Sequence, residues 1–420
     1  MYELALLISK ILFGWLVGQT LLSLVFIFYL RQGRKKKLLP DEHLPKTALI
    51  LCLRGADPFL PECVSRLLNQ DYPNYDLKII VDSEQDSAWT IATDVVKQQG
   101  ASNVQVSPLR QPRPNCTLKC SSLHQAVSDL DDSYEVVALV DADTVAHRSW
   151  LGELVTPLKD PKVGATTGHR WYVPTGNYWG SLVRYIWNLS AVIQMYLYRI
   201  PWGGTLAIKT KLLRDTGLLE KWGQAFCEDT MTRRALQKHG MRVEFVPSLI
   251  MINEEECDLP GLARWLSRQL LCARLYHPWW GAVIGDAFLT ILLPTTLLLL
   301  SLGTLLTGQW QAAAVLLGCY GTYLVGLVLI EVAIEQTIQI AICKPGESAR
   351  KLSLATVAKM FVATPLTQWV YGYAMILSWR MPQVKWRGIT YRVNGPWKIR
   401  MLEYLPYQSS GQPVDSKVSL

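Results

Sequence analysis

Charge is scarce in this chain of 420 residues: Asp, Glu, Lys and Arg together make up 18% of it, against about 25% in an ordinary globular protein. Hydrophobic residues reach 50%, and mean hydropathy is +0.14. This balance excludes a disordered chain, a collagen-like chain and a highly charged coiled coil, and it fits a purely soluble enzyme poorly. A disulfide framework is also lacking. The nine cysteines are odd in number and irregularly spaced, so reduced thiols facing the cytosol are the simpler account. Cys116 and Cys120 lie four apart, but no Cys/His pair follows at zinc-finger spacing. There is no internal repeat. What the chain does have is 16 Trp and 18 Tyr, the side chains that favour membrane interfaces. The length allows two or three domains.

The net charge of +8 is uneven. Residues Arg31 to Lys37 form a dense basic run directly after an apolar stretch. Such a run binds nucleic acid when it sits on a folded basic patch. Beside a span it reads as a topology signal that holds the next domain in the cytosol. The apolar stretch, residues 4–30, is long enough to cross a bilayer. No basic residue precedes it and no small-x-small cleavage site follows, so it reads as an uncleaved anchor. Residues 38–257 alternate short apolar runs with helical patterns, which predicts an α/β domain with a mostly parallel sheet. Thr47–Leu53, Leu77–Val81 and Val136–Val140 are its first expected strands. Ligands bind beyond the carboxyl ends of such strands.

Residues 258–280 carry an amphipathic helix, with Leu262, Trp265, Leu266 and Leu270 apolar and Arg264, Arg268 and Arg274 basic. It reads either as a membrane-surface helix or as a helix packed on the domain. Residues 281–379 hold three apolar segments, near Val283–Leu306, Ala312–Ala333 and Leu354–Ser378, giving two to three C-terminal transmembrane helices, with Pro294 a candidate kink in the first. Three full spans would put residues 380–420, a basic tail, outside, against the preference of Lys and Arg for the inside. Leu354–Ser378 is the first suspect for a segment that does not cross. Residues 408–420 read as a polar, disordered end.

The chemistry rests on acids at strand ends. Asp82 follows one apolar run. Asp141 and Asp143 follow another, in Asp141-Ala142-Asp143. An aspartate at a strand end is often only a turn former, but a D-x-D pair there can reach one divalent cation, Mg2+ or Mn2+, and a diphosphate bound to it. Glu228-Asp229 offers a general base for an acceptor hydroxyl, or a helix-dipole acid. Gly203 and Gly204 form a loop that can approach a sugar closely.

With Leu53-Arg-Gly-Ala-Asp-Pro58, Asp71-Tyr-Pro-Asn-Tyr75, Asp82, Asp86, Asp141-Ala-Asp143, Gly203-Gly204, Glu228-Asp229, Trp386-Arg-Gly388 and Tyr391, the chain resembles a family 2 membrane glycosyltransferase, close to the ceramide glucosyltransferase family. The resemblance covers nearly the whole chain. It implies a GT-A-like (Rossmann-like) nucleotide-sugar domain and inverting transfer from a nucleoside-diphosphate sugar. In it Asp82 contacts base or ribose, Asp141 and Asp143 hold the cation and diphosphate, Lys119 lies near the donor, and Asp229 is the base, with Glu228 beside it. Lys119 can equally be a plain surface lysine. The family's (Gln/Arg)-x-x-Arg-Trp signature is incomplete: Arg264-Trp265 is present, but Gly261 stands in the leading position. Arg268-Gln269 and Arg274 on the same helix are alternative diphosphate ligands, and Trp265 either lines the acceptor path or anchors in the membrane.

The expected reaction moves a hexose, first of all glucose, from a UDP-sugar to a lipid hydroxyl: ceramide, diacylglycerol or another lipid. The aromatic stretch Arg184–Trp202 either guides acyl chains or forms a buried core helix. The rival readings are a processive polysaccharide synthase, which usually needs more spans, and a non-catalytic membrane scaffold or transporter, which the lack of paired broken helices disfavours.

Overall fold

A computed structural model describes residues 2–32, 38–174, 178–342 and 351–405. Most of the basic run, residues 33–37, and the polar end, 408–420, lie outside the described residues. Seven strands form one sheet: β1 (Thr47–Leu53), β2 (Tyr75–Val81), β3 (Val104–Pro108), β4 (Val136–Val140), β5 (Val163–Tyr172), β6 (Thr205–Lys209) and β7 (Arg242–Asn253). Their order is β3-β2-β1-β4-β6-β5-β7. Only β6 runs against its neighbours; the other pairs are parallel. All five residues of β4 are buried, which is why its sequence is a continuous apolar run rather than an alternating one.

Among the described residues, three helices are long and apolar enough to cross a membrane: Tyr2–Gln32, Trp280–Leu306 and Trp310–Ile342. The second has a π-helical turn at Phe288–Leu292, directly before Pro294. A proline lacks the amide proton and clashes with the carbonyl four residues back, and a widened turn accommodates both.

The helix Leu354–Trp379 does not qualify as a span. Its Thr364, Thr367, Gln368 and Tyr371 fall on one face and are buried, and it packs on helices Trp179–Tyr198, Leu259–Tyr276 and Trp310–Ile342. Helix Leu259–Tyr276, offered as a membrane-surface helix, buries Leu262, Trp265, Leu266 and Leu270 against this same assembly. Its apolar face is used up by protein.

The segment expected as a basic tail folds. Strands β8 (Gln383–Trp386), β9 (Ile389–Val393) and β10 (Ile399–Glu403) make an antiparallel sheet. Val384, Ile389, Tyr391, Val393, Ile399 and Met401 join the core of the large domain. The Tyr391 hydroxyl accepts from Leu118 N at 3.1 Å. This contact keeps the tail and the large sheet on one side of any bilayer, and so requires an even number of crossings between them.

Candidate functional site

The register of β4 and β6 builds the site. Val140 pairs with Thr205 in antiparallel sense, so the residues just after β4 meet those just before β6. Asp141 therefore faces Gly204. A Cβ at Gly204 would lie 2.6 Å from Asp141 Oδ2 and overlap the Trp202 ring, and one at Gly203 would overlap Glu228 Oε1. Both glycines are needed for close approach rather than for a positive φ. Gly203 N donates to Asp229 Oδ2 at 3.0 Å, tying the glycine loop to the Glu228-Asp229 turn.

Lys119 stands in the first turn of helix Leu118–Ser128, whose Thr117 caps it. Its ammonium is 2.6 Å from both Asp141 Oδ1 and Glu228 Oε1. Burial pulls its pKa down, but the charges of Asp141 and Glu228 and their hydrogen bonds outweigh that and hold it well above the ordinary lysine range. The plain surface lysine is thereby excluded. Asp141 and Asp143 are pushed apart. Burial favours the protonated form of both. For Asp141 it is outweighed by Lys119, with Arg170 and Arg268 adding to the same side, so the carboxyl is lowered. For Asp143, burial and then the Asp141 charge raise it. Glu228 is raised by burial, which Lys119 offsets only in part. Asp229 accepts from Thr230 N at 2.5 Å and Thr230 Oγ1 at 2.9 Å through Oδ1.

Three guanidinium groups face these acids. Arg170, on β5, lies 5.0 to 5.4 Å from the ring centres of Tyr172, Trp202 and Trp265, and its charge acts on both Asp141 and Asp143. Arg268 stacks 4.5 Å over Trp386. Arg387 holds Asp57 through two 2.9 Å bonds. It occupies the left-handed region, φ 45°, followed by Gly388 at φ 79°, in a two-residue hairpin loop joining β8 to β9. Positive φ at both central residues is the twist-matched form of such a turn, and a non-glycine residue there costs energy that Asp57 and the Arg54 carbonyl offset. Arg170 and Arg387 were not singled out as site residues; only the matched Trp386-Arg-Gly388 motif pointed to the second.

The remaining candidates separate. Arg264 and Gln269 line the same cavity as the acids, Arg264 on its exposed side. Arg274 instead donates to the Trp379 carbonyl at 2.7 Å and faces away from it. Trp265 is buried edge-on against Tyr172 and Trp187, so it is not a lipid-facing anchor. Asp82 is not brought into the cavity. Its carboxylate pairs with Arg54 and accepts from the Tyr404 hydroxyl at 2.8 Å. Asp86 caps helix Ser87–Gln99 and accepts from Gly55 N.

Asp143 offers a test of fit for a cation. Its Oδ2 accepts from Asn253 Nδ2 at 3.1 Å, while Oδ1 is buried with no hydrogen-bond partner among the described residues. A buried carboxylate oxygen without a partner is costly, and a divalent cation would satisfy it. Among the described residues no cluster of three or more His, Cys, Asp or Glu side chains forms a closed metal cage. Two carboxylates with the remaining positions left to phosphate and water is the arrangement expected for a cation shared with a diphosphate.

A mixed sheet with acids at the carboxyl end of its central strand β4, joined to helices long and apolar enough to cross a membrane, has the form of a GT-A-like fold. The model of glycosyl transferase family 21 matches residues 15–399, and the chain belongs to that family; it is a glycosyltransferase. Among solved structures, it is similar to the mannosyltransferase PcManGT from Pyrobaculum calidifontis in complex with GDP-Man and Mn2+. The two share 16% identity at a TM-score of 0.51, over 89% of this chain and 99% of that one. That likeness speaks for the fold. GalNAc-T7 with UDP, GalNAc and Mn2+ aligns at 12% identity and a TM-score of 0.40, over 58% of this chain and 50% of that one. Comparison with curated protein sequences finds no match.

Proposed function

We propose that this glycosyltransferase moves a hexose, glucose in the first instance, from a UDP-sugar to a hydroxyl of a membrane lipid with inversion. One observation carries the reading. A single cavity of about 1100 Å³ is lined at one end by Asp141, Asp143, Glu228 and Asp229, and at the other by Trp15, Leu22, Leu327 and Ile330 of the apolar helices. A polar donor and a lipid acceptor can thus meet without either leaving its own phase.

In the proposed step the acceptor oxygen bonds to the anomeric carbon while the bond from that carbon to the diphosphate oxygen breaks. UDP leaves with the electron pair, and Asp229 takes the hydroxyl proton. Asp141 and Asp143 would hold a divalent cation, Mg2+ or Mn2+, which supplies charge neutralisation for the diphosphate. Arg268 and Arg170 add fixed positive charge where negative charge develops. The helices Trp280–Leu306 and Trp310–Ile342 would make the even pair of crossings that the folded tail requires, and the basic run after the first helix supports a cytosolic catalytic side.

Radiolabelled UDP-glucose supplied to membranes containing the protein tests this. Label is expected in a lipid extract, and mass spectrometry of that lipid identifies headgroup and backbone. Label in a long water-soluble product, or purified protein that binds no nucleotide sugar, would overturn it.

A further inference from the structure

Where the large domain joins helix Trp280–Leu306, the fold gathers basic side chains without acids. Three elements supply them. Arg199 is the C-cap of helix Trp179–Tyr198, Arg233 stands on the short helix Thr232–Gln237, and His277 is the C-cap of helix Leu259–Tyr276. The His277 ring packs edge-on against Tyr198 at 5.2 Å, and Arg199 is the next residue. The Arg199 charge acts on Arg233, and the Arg233 charge acts on His277. Trp279, 55% exposed, follows, and then the apolar helix begins. With that helix as a span, the group sits at headgroup level on the catalytic side.

The group offers donors and lacks acceptors. Arg233 is half-buried, and its Nη1 is enclosed with no hydrogen-bond partner among the described residues. Arg199 lies over the Tyr196 ring, 4.9 Å from its centre. Its backbone is left-handed, φ 55°, at a cap where glycine is usual; a side chain there is strained, which points to a use for this one. His277 Nδ1 accepts from Trp279 N at 3.0 Å. Burial and the Arg233 charge push the imidazole from 6.5 down to about 4, so near pH 7 it is neutral and Nε2 carries the proton. The helix that starts at Trp280 has no side-chain cap, which leaves amides free beside His277.

Nearby acids are engaged elsewhere. Glu244 acts on Tyr29 and pairs with Arg242 at 3.4 Å. Asp286 acts on Tyr198 and accepts from Gln194. Arginines on the open surface make the contrast: Arg110, Arg214 and Arg242 each hold an aspartate at 2.6 to 2.7 Å. A group of like charges is stabilised by an anion brought to it.

We propose that Arg199, Arg233 and His277 form a site for the phosphate of an anionic phospholipid, held as a ligand rather than as a reactant. The guanidinium fork matches phosphate oxygens, and basic side chains at an anionic leaflet attract such lipids. His277 also lines the cavity, so the bound lipid stands at the cavity rim and holds the domain against the bilayer. The proposal uses helix Trp280–Leu306 as a span and is independent of the identity of sugar and acceptor.

Native mass spectrometry of the full-length protein tests it, with no sugar donor present. Phosphatidylglycerol and phosphatidylcholine of the same acyl chains are supplied in equal amounts. The wild type is expected to retain one phosphatidylglycerol in preference to phosphatidylcholine by about 10-fold or more, since each arginine near an anionic headgroup contributes about 5-fold. Arg199→Gln and Arg233→Gln are each expected to lower that preference about 5-fold. Arg234→Gln removes an equal charge from an exposed neighbouring position on the same helix and is expected to leave it unchanged. Equal retention of the two lipids by the wild type overturns the proposal whether or not any variant folds. So does a loss with Arg234→Gln as large as with Arg233→Gln, which would mean diffuse attraction. Displacement of the lipid by an equal concentration of inorganic phosphate overturns it too, since the ligand would then be a soluble anion. Failure of UDP-glucose to label any lipid would overturn the proposed function and leave this site standing.

Discussion

The two ends of the cavity handle acids in opposite ways. At the sheet, Asp141, Asp143 and Glu228 stand among Lys119, Arg170, Arg268 and Arg387, whose charges reach one or more of them. At the membrane end, Asp286 accepts from the Gln194 amide and Glu331 from the Thr364 hydroxyl. Burial penalises an acid at both ends, so the difference lies in what each end awaits. A departing nucleoside diphosphate brings several negative charges and must find cations in place, in surroundings where an ion pair is worth more than in water. A neutral lipid head brings none and calls for no cation. Under the proposed function, the distribution of arginine separates a donor end from an acceptor end within one continuous space.

The sharpest way to break this division is to remove the proton acceptor between the ends. Asp229→Asn keeps the shape and can accept from Gly203 N or from Thr230 N, though not from both, and it loses basicity. It is expected to lower the turnover number about 10²- to 10⁴-fold, with little change in the KM for UDP-glucose and none in lipid binding. Full transfer by this variant would remove Asp229 from its role. A smaller effect is expected at Asn253, whose amide orients Asp143. Asn253→Ala should weaken Mn2+ or Mg2+ activation about 10- to 100-fold, the usual range for a group that holds a metal ligand in place. Metal titration of activity at saturating donor measures it. If the acceptor KM moved instead of the metal requirement, the donor and acceptor ends would not be separable.

How much of this could be read from the residues alone follows from how local each signal is. Asp141 and Asp143 were legible because a five-residue apolar run fixes β4 and the acids come next in the chain. Lys119 came only through resemblance, since its two partners lie on other elements, 22 and 109 positions away. Arg170 and Asn253 were missed for the same reason: the sheet order that carries β5 and β7 to the D-x-D edge leaves no local pattern. The tail was misread for a different reason. Val384 and Trp386, Ile389, Tyr391 and Val393, then Ile399 and Met401 alternate as strand residues should, with Arg387-Gly388 and Asn394-Gly395 between them as turns. The basic residues on the alternate positions drew attention to charge instead. The helix Leu354–Trp379 drew suspicion because Lys359, Pro365, Gln368, Tyr371 and Tyr373 interrupt its apolar run; that Thr364, Thr367, Gln368 and Tyr371 share one buried face emerged only from the structure.

The smallest expected effect lies on the strand that serves both ends. Side chains alternate along β5, so while Arg170 faces the acids, His169 lies against the N-terminal helix, 3.3 Å from the Tyr29 hydroxyl and edge-on to Phe26. It also stacks on Phe245 at 4.9 Å. Burial pushes the imidazole from its ordinary 6.5 down to about 3, so it is neutral in the fold. The unfolded chain takes up that proton below about pH 6.5, and the folded chain does not. The stability tied to His169 is therefore fully present above that pH and declines as pH falls toward 3, by at most about 1.4 kcal/mol per pH unit. His169→Gln keeps a polar partner for Tyr29 but cannot titrate. Between pH 7 and pH 5 its melting temperature should fall less steeply than that of the wild type, while the metal and donor requirements of the catalytic end stay the same. Parallel pH slopes for the two proteins would mean that another group, and not this seam between sheet and first helix, sets the acid sensitivity.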